Sequence, residues 1–196
     1  MPLIVLEGIL VRDRFGAILD ASSTVTLIRT EDSGNILVDT GEFSRQKDLI
    51  HGLKSIGRLE PEDIDKVVFT HGHGDHMGNN KLFLNAEFYY HPDEHIISRH
   101  KARGSHEVSE GFILANKPRV YVIETPGHTR GCITVIINYD DVFAAAGDAL
   151  PIEDNYRQWV PPGINIDPEL AIRSMERIVD AADYVIPGHG RMFKID

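Results

Sequence analysis

Short apolar runs alternate along the chain with amphipathic stretches, and this change of period marks an α/β protein. "MPLIVLEGILVRD", interrupted by Glu7, reads as a first strand. "TVTLIRTEDSGNILVDTG" sets two strand-like runs either side of the turn cluster Asp32-Ser33-Gly34-Asn35 and predicts a hairpin. A helix is expected over 45–56, with Leu49, Leu53 and Ile56 on one face and Gly57 as its stop. "DKVVFTH" is a buried strand, "AEFYY" and "RVYVIETPG" are further strands, and "CITVIINYDDVFAAAGD" is a pair turning at Asp140-Asp141. A last helix starts with Asp167 as N-cap and Pro168 in its first position, burying Ala171, Met175, Ile178, Val179 and Ala182. The strand "YVIPGHG" closes the pattern. Residues 98–118, "SRHKARGSHEVSEGFILANKP", follow neither period and read as a long loop. No low-complexity stretch or linker divides the chain, so residues 1–196 are expected to form one domain.

The strand "DKVVFTH" runs directly into "THGHGDHMG" at 70–78. In extended backbone, residues two apart point the same way, so His71 and His73 can converge on one point. Gly72 and Gly74 are expected to permit a sharp turn that swings Asp75 and His76 toward a second point. Two imidazoles, then a carboxylate and an imidazole, are ligand types for Zn²⁺, Fe²⁺ or Mn²⁺. Four residues do not close two metal sites. Three more candidates stand after strands beside glycine or proline: His128 in "TPGHTRG", Asp148 in "AAAGDAL" and His189 in "IPGHG".

The order "THGHGDHMG", "TPGHT", "GD", "PGHG", with "ILVDTG" before it, resembles the metallo-β-lactamase-fold superfamily over nearly the whole chain, and its compact single-domain members most. The resemblance implies a four-layered αββα sandwich of two similar halves, with metals at one edge of the sheets. It implies that His71, His73 and His128 bind a first metal, that Asp75, His76 and His189 bind a second, and that Asp148 bridges them. Asp39 falls where the family places a buried aspartate under the metal loop, orienting a ligand histidine; Thr70 and Thr129 are supporting candidates. The activity implied is hydrolysis. Two divalent ions, zinc foremost with iron or manganese as alternatives, share a water and lower its pKa to about 7. The resulting hydroxide, held by a hydrogen bond to Asp75, attacks an ester, thioester, lactone or phosphodiester. Two other readings stay open: a mononuclear iron persulfide dioxygenase using His71, His128 and Asp148, and a ribonuclease acting on short RNA.

Composition narrows the partners. The net charge of −10 opposes binding to long nucleic acid. At the site itself, two divalent ions outweigh the two aspartates and a hydroxide, so a small anionic substrate is still expected. No apolar run is long enough to span a bilayer. The single cysteine, Cys132, excludes an intramolecular disulfide; with no basic leader it fits a reducing cytoplasm, and Cys132 is expected to be a core residue. Only seven residues follow His189, so no glutathione-holding helical domain is expected. A homodimer is compatible with all of this. Within the 98–118 loop, Lys101 and Arg103 are expected to meet the substrate anion.

Overall fold

The computed structural model describes residues 1–94 and 103–196. In chain order these form β1 (Leu3–Leu6), β2 (Ile9–Arg12), β3 (Ile18–Ser22), β4 (Val25–Arg29), β5 (Asn35–Val38), α1 (Gln46–Gly52), β6 (Lys66–Val68), α2 (Gly74–Met77), β7 (Glu87–Tyr90) and β8 (Gly104–Glu107). There follow β9 (Ile113–Asn116), β10 (Arg119–Glu124), β11 (Ile133–Asn138), β12 (Val142–Gly147), α3 (Glu153–Gln158), α4 (Pro168–Ala181), β13 (Tyr184–Pro187) and β14 (Phe193–Lys194). One six-stranded sheet has the order β1-β4-β5-β6-β7-β8, a second β14-β13-β12-β11-β10-β9, and β2 and β3 pair as a separate hairpin.

Alternation within the strands builds the layers. Ile36, Val38 and Val68 of the first sheet pack against Val120, Val122, Ile133, Val135, Ala145 and Ile186 of the second, a core between the sheets. The intervening residues face outward. Leu37, Val67 and Phe69 meet Leu49 and Leu53 of the first helical layer. Ile123, Ile136, Ala144 and Val185 meet Met175 and Ile178 of α4. Strands buried on both faces therefore read as continuous apolar runs, and three cores make the four-layered αββα sandwich expected from the motif order. Each fully buried Val, Leu or Ile contributes about 1.5–3 kcal/mol through this burial.

Strands β5 to β8 run parallel, so their C-terminal ends share one edge of the first sheet. At that edge the sheets are stitched by Ile133 N–H to the Thr70 carbonyl (2.9 Å) and Thr24 N–H to the Gly188 carbonyl (2.7 Å).

Five expectations need correction. The apolar N-terminus makes two strands, β1 and β2, and β2 turns back as a hairpin with β3. Ile56 is 49% exposed, because after α1 the chain takes a π-turn over Leu53–Gly57 that rotates it off the buried face. The left-handed residue ending that turn is Arg58, not Gly57. The described part of 98–118 is not a structureless loop: Gly104–Glu107 adds to β7 and Ile113–Asn116 to β10. The polar sequence "GSHE" forms an edge strand through backbone pairing and the stacking of His106 on Tyr89, which leaves no apolar alternation to read. In α4, Asp167 accepts from Leu170 N–H as expected, while Val179 and Ala182 are only half-buried. Among the described residues no helix is long and apolar enough to cross a membrane.

Candidate metal centre

Seven side chains gather where the strand ends meet. Beyond β6 the chain bends through Thr70, His71 and Gly72, so His71 and His73 converge across a bend rather than along the extended backbone expected. His73 is itself extended and stands at the N-cap of α2, and the helical turn then carries Asp75 and His76 to the other side. Gly74 opens that helix with open space where a Cβ would stand, so the turn does not depend on it as expected. Other glycines do matter. Gly147, at φ +51°, ends β12 with Thr70 Oγ1 only 2.4 Å from where its Cβ would lie, and it delivers Asp148. A Cβ on Gly188 would collide with Asp148 Oδ1, so the approach of β13 that brings His189 requires glycine there. His128 arrives on the loop between β10 and β11.

His71, His73, His128 and Asp148 each offer one donor atom within 4.8 Å of the others, and Asp75, His76 and His189 form a second such group. His128 Nε2 lies 3.0 Å from His73 Nδ1. The two oxygens of Asp148 face different groups: Oδ2 lies 3.5 Å from His128 Nε2, while Oδ1 lies 3.3 Å from His76 Nε2 and 3.2 Å from His189 Nε2. Asp75 Oδ2 stands 3.7 Å from His189 Nε2 and 4.0 Å from His76 Nε2.

The rear nitrogens are held by the scaffold. His76 Nδ1 donates to Asp39 Oδ2 at 2.7 Å, His128 Nδ1 to the Ile164 carbonyl at 2.7 Å, and His189 Nδ1 to the Ser22 carbonyl at 2.9 Å. With Nδ1 engaged by the scaffold, each ring turns its Nε2 to the interior. His71 Nε2, His76 Nε2 and Asp148 Oδ1 are buried without a hydrogen-bond partner. Each such orphan costs about 1–3 kcal/mol unless something satisfies it. A cation fits both their position and their chemistry.

Electrostatics agree. Burial holds His71 well below the usual imidazole range and lowers His128, keeping both neutral. Burial opposes charge on Asp148, yet the imidazoles of His76 and His189 beside it hold its carboxyl well below the ordinary range. Burial likewise opposes charge on His76, but Asp39 and Asp148 override it and raise this imidazole well above its ordinary value. The buried carboxylates thus attract positive charge to the centre.

Asp39 lies under the loop in a left-handed conformation (φ 59°), accepting from Thr70 N–H and Thr70 Oγ1, both at 2.8 Å, as well as from His76. Glu94, not anticipated, is buried and accepts from Gly72 N–H at 2.8 Å, Gly131 N–H at 3.0 Å and the Thr129 hydroxyl. It therefore ties the His71–His73 loop to the His128 loop. Cys132 is buried against Thr129 with its thiol pushed upward by desolvation, which leaves it unreactive. Lys101 lies outside the described residues. Arg103 is exposed just before β8, its N–H bonded to the Ala86 carbonyl at the N-terminal end of β7. That is the sheet edge opposite the centre, because the histidines follow the C-terminal ends of these parallel strands.

Two cavities open on the centre. One of 260 Å³ reaches both donor groups through His73, Asp75, His128, Asp148 and His189, and is walled by the β2–β3 hairpin and Ile164. The other, 480 Å³, touches His73 and His128 and carries Asp93, Glu94 and Arg130.

An αββα sandwich with this double histidine-aspartate cluster at its strand ends defines a metal-binding α/β protein of the hydrolase type. The family model of the metallo-beta-lactamase superfamily matches residues 19–189, and the chain belongs to that superfamily. It is 41% identical over 183 residues to a probable metallo-hydrolase of Methanocaldococcus jannaschii, covering 93% of this chain and 83% of that one. It is 34% identical over 197 residues to metallo-beta-lactamase domain-containing protein 1 of Xenopus laevis, covering 98% and 80%. Among solved structures, Bacillus thuringiensis AiiA with N-decanoyl-L-homoserine bound at its active site superposes with a TM-score of 0.76 at 22% identity, over 96% of this chain and 92% of that one, a likeness of fold.

Proposed function

We propose that this chain, a metal-dependent hydrolase of the superfamily, works as a dinuclear enzyme on a small ester, thioester, lactone or phosphodiester. The observation that carries the reading is the opposed aim of the Asp148 oxygens, one toward each donor group. In it, His71, His73 and His128 hold the first ion, Asp75, His76 and His189 the second, and Asp148 bridges. Zinc is the expected metal, with iron and manganese as alternatives suited to the same donors. Two such ions would supply Lewis acidity and a water acidic enough, with a pKa of about 7, to act as hydroxide at neutral pH.

The chain's own residues do the rest. Asp75 has a side chain 24% exposed and faces the cavity, so its carboxylate can align the attacking water, take its proton and hand that proton to the leaving oxygen or sulfur as the acyl–oxygen, acyl–sulfur or phosphorus–oxygen bond breaks. Asp39, Ile164 and Ser22 keep the imidazoles aimed, which fixes the centre before substrate arrives. The cavity that reaches both donor groups, 260 Å³, falls below the roughly 300–1,000 Å³ typical of drug-sized ligands, which favours a small reacting group, while the adjoining 480 Å³ cavity leaves room for the rest of the molecule.

Elemental analysis of protein purified without chelator should find close to two ions per chain, and a panel of small esters and lactones should reveal turnover that stops on chelation. One iron per chain with oxygen consumption on a persulfide would replace this reading with the dioxygenase.

A further inference from the structure

The cavity that reaches both donor groups contains one positive side chain with no role so far, Arg12. On β2, Leu10 and Arg12 are two apart and face the same way, opposite Ala21 and Ile18 on β3. A bulge in this pairing leaves Leu19 without a partner, which is why Ile18 and Ala21, three apart, both reach the cavity. Asp13 Oδ1 closes the hairpin tip by accepting from Phe15 and Ala17 N–H, and Arg12 Nη1 donates to the Gly16 carbonyl at 2.9 Å. The guanidinium is thereby held, and the described residues place no carboxylate in ion-pair contact with it. Its Nη2 lies 3.7 Å from where a Cβ on Gly163 would stand, an ordinary contact distance, so the guanidinium rests beside the 162–164 segment that lines the same cavity.

The remaining wall is apolar, formed by residues such as Pro151, Pro162 and Ile164, so the guanidinium is the feature of that wall able to choose among substrates. Arg130 in the second cavity is a weaker candidate. It shares that cavity with Asp93 and Glu94, and the cavity does not reach Asp75, Asp148 or His189.

We propose that Arg12 selects the substrate by receiving an anionic group, a carboxylate, on the part of the molecule remote from the bond that is cut. The inference rests on the hydrolase reading and narrows it to small esters, thioesters or lactones that end in a carboxylate. A guanidinium–carboxylate pair can form two charge-assisted hydrogen bonds, and its planar fork sets the orientation of the bound acid.

The test uses the zinc-loaded full chain, with 4-nitrophenyl hemisuccinate as the anionic ester and 4-nitrophenyl butyrate as its neutral counterpart. The ratio of kcat/KM for the anionic over the neutral ester should fall about tenfold in Arg12→Gln, mainly through KM, and recover in part in Arg12→Lys. An equal ratio in wild type and Arg12→Gln, or a collapse in Arg130→Gln instead, would overturn the assignment. A calorimetric arm compares succinate with butyrate binding, so that the proposal stands or falls apart from turnover. If no ester is cleaved yet succinate is preferred and Arg12→Gln abolishes the preference, Arg12 keeps its role and only the hydrolase reading fails. An unchanged binding preference removes Arg12.

Discussion

Asp148 faces two ways, so one substitution should reach both donor groups. Asp148→Ala is expected to drop metal content well below one ion per chain and to abolish hydrolysis, whereas His189→Ala should leave the first group loaded; elemental analysis separates the two. Glu94 acts at one remove. In Glu94→Gln the amide nitrogen must replace either Oε2, which accepts from Gly72 N–H, or Oε1, which accepts from Gly131 N–H and the Thr129 hydroxyl, so one side of the tie sets donor against donor. Affinity for the first ion should fall about 10–100-fold, measured by competition with a chromophoric chelator. An unchanged affinity would make Glu94 a packing residue. Legibility at this scale followed local crowding. The seven donors sit in short glycine- and proline-flanked strings that announce themselves, and Asp39 stood in a recognisable strand motif. Glu94 and Arg12 sit in "HPDE" and "LVRD", where a charge looks like any solvated one until the fold buries Glu94 and sets Arg12 at the rim of the cavity.

Among the elements, those with two buried faces or a capped amphipathic face were legible, and those stabilised by backbone pairing at an exposed edge were not. Strand β8 and the β2–β3 hairpin belong to the second kind. The run from Leu49 to Ile56 kept helical spacing on paper, but the π-turn broke its phase. For α4, cap and register agree, which permits a quantitative expectation. Asp167→Ala removes the bond to Leu170 N–H and should cost about 1 kcal/mol, read as a lower urea midpoint at unchanged slope. A loss under a few tenths would show that packing of Met175 and Ile178, rather than the cap, sets the start of the helix.

For the whole molecule, the order of motifs made the fold legible, since apolar runs alone do not say which strands pair. The metal centre joins the halves: each donor group draws from the β6–α2 region and from residues beyond β10. Chelation should therefore loosen the union of the two sheets. A ligand held at about a thousandfold above its Kd adds about 4 kcal/mol. At about 2–4 °C per kcal/mol for a chain of this size, EDTA should lower Tm by about 10 °C, reversed by zinc. A Tm unmoved by EDTA, in protein verified as metal-free, would mean the sheet–sheet core alone holds the halves together.

The donor groups also impose an order on biosynthesis. A ribosome delivers His71 through Asp148 well before His189, which must emerge on β13 and dock beside β12. A nascent chain can thus complete the first group while the second is still open. In the dinuclear reading, loading the second ion would be a late check that β13 has been made and seated beside β12.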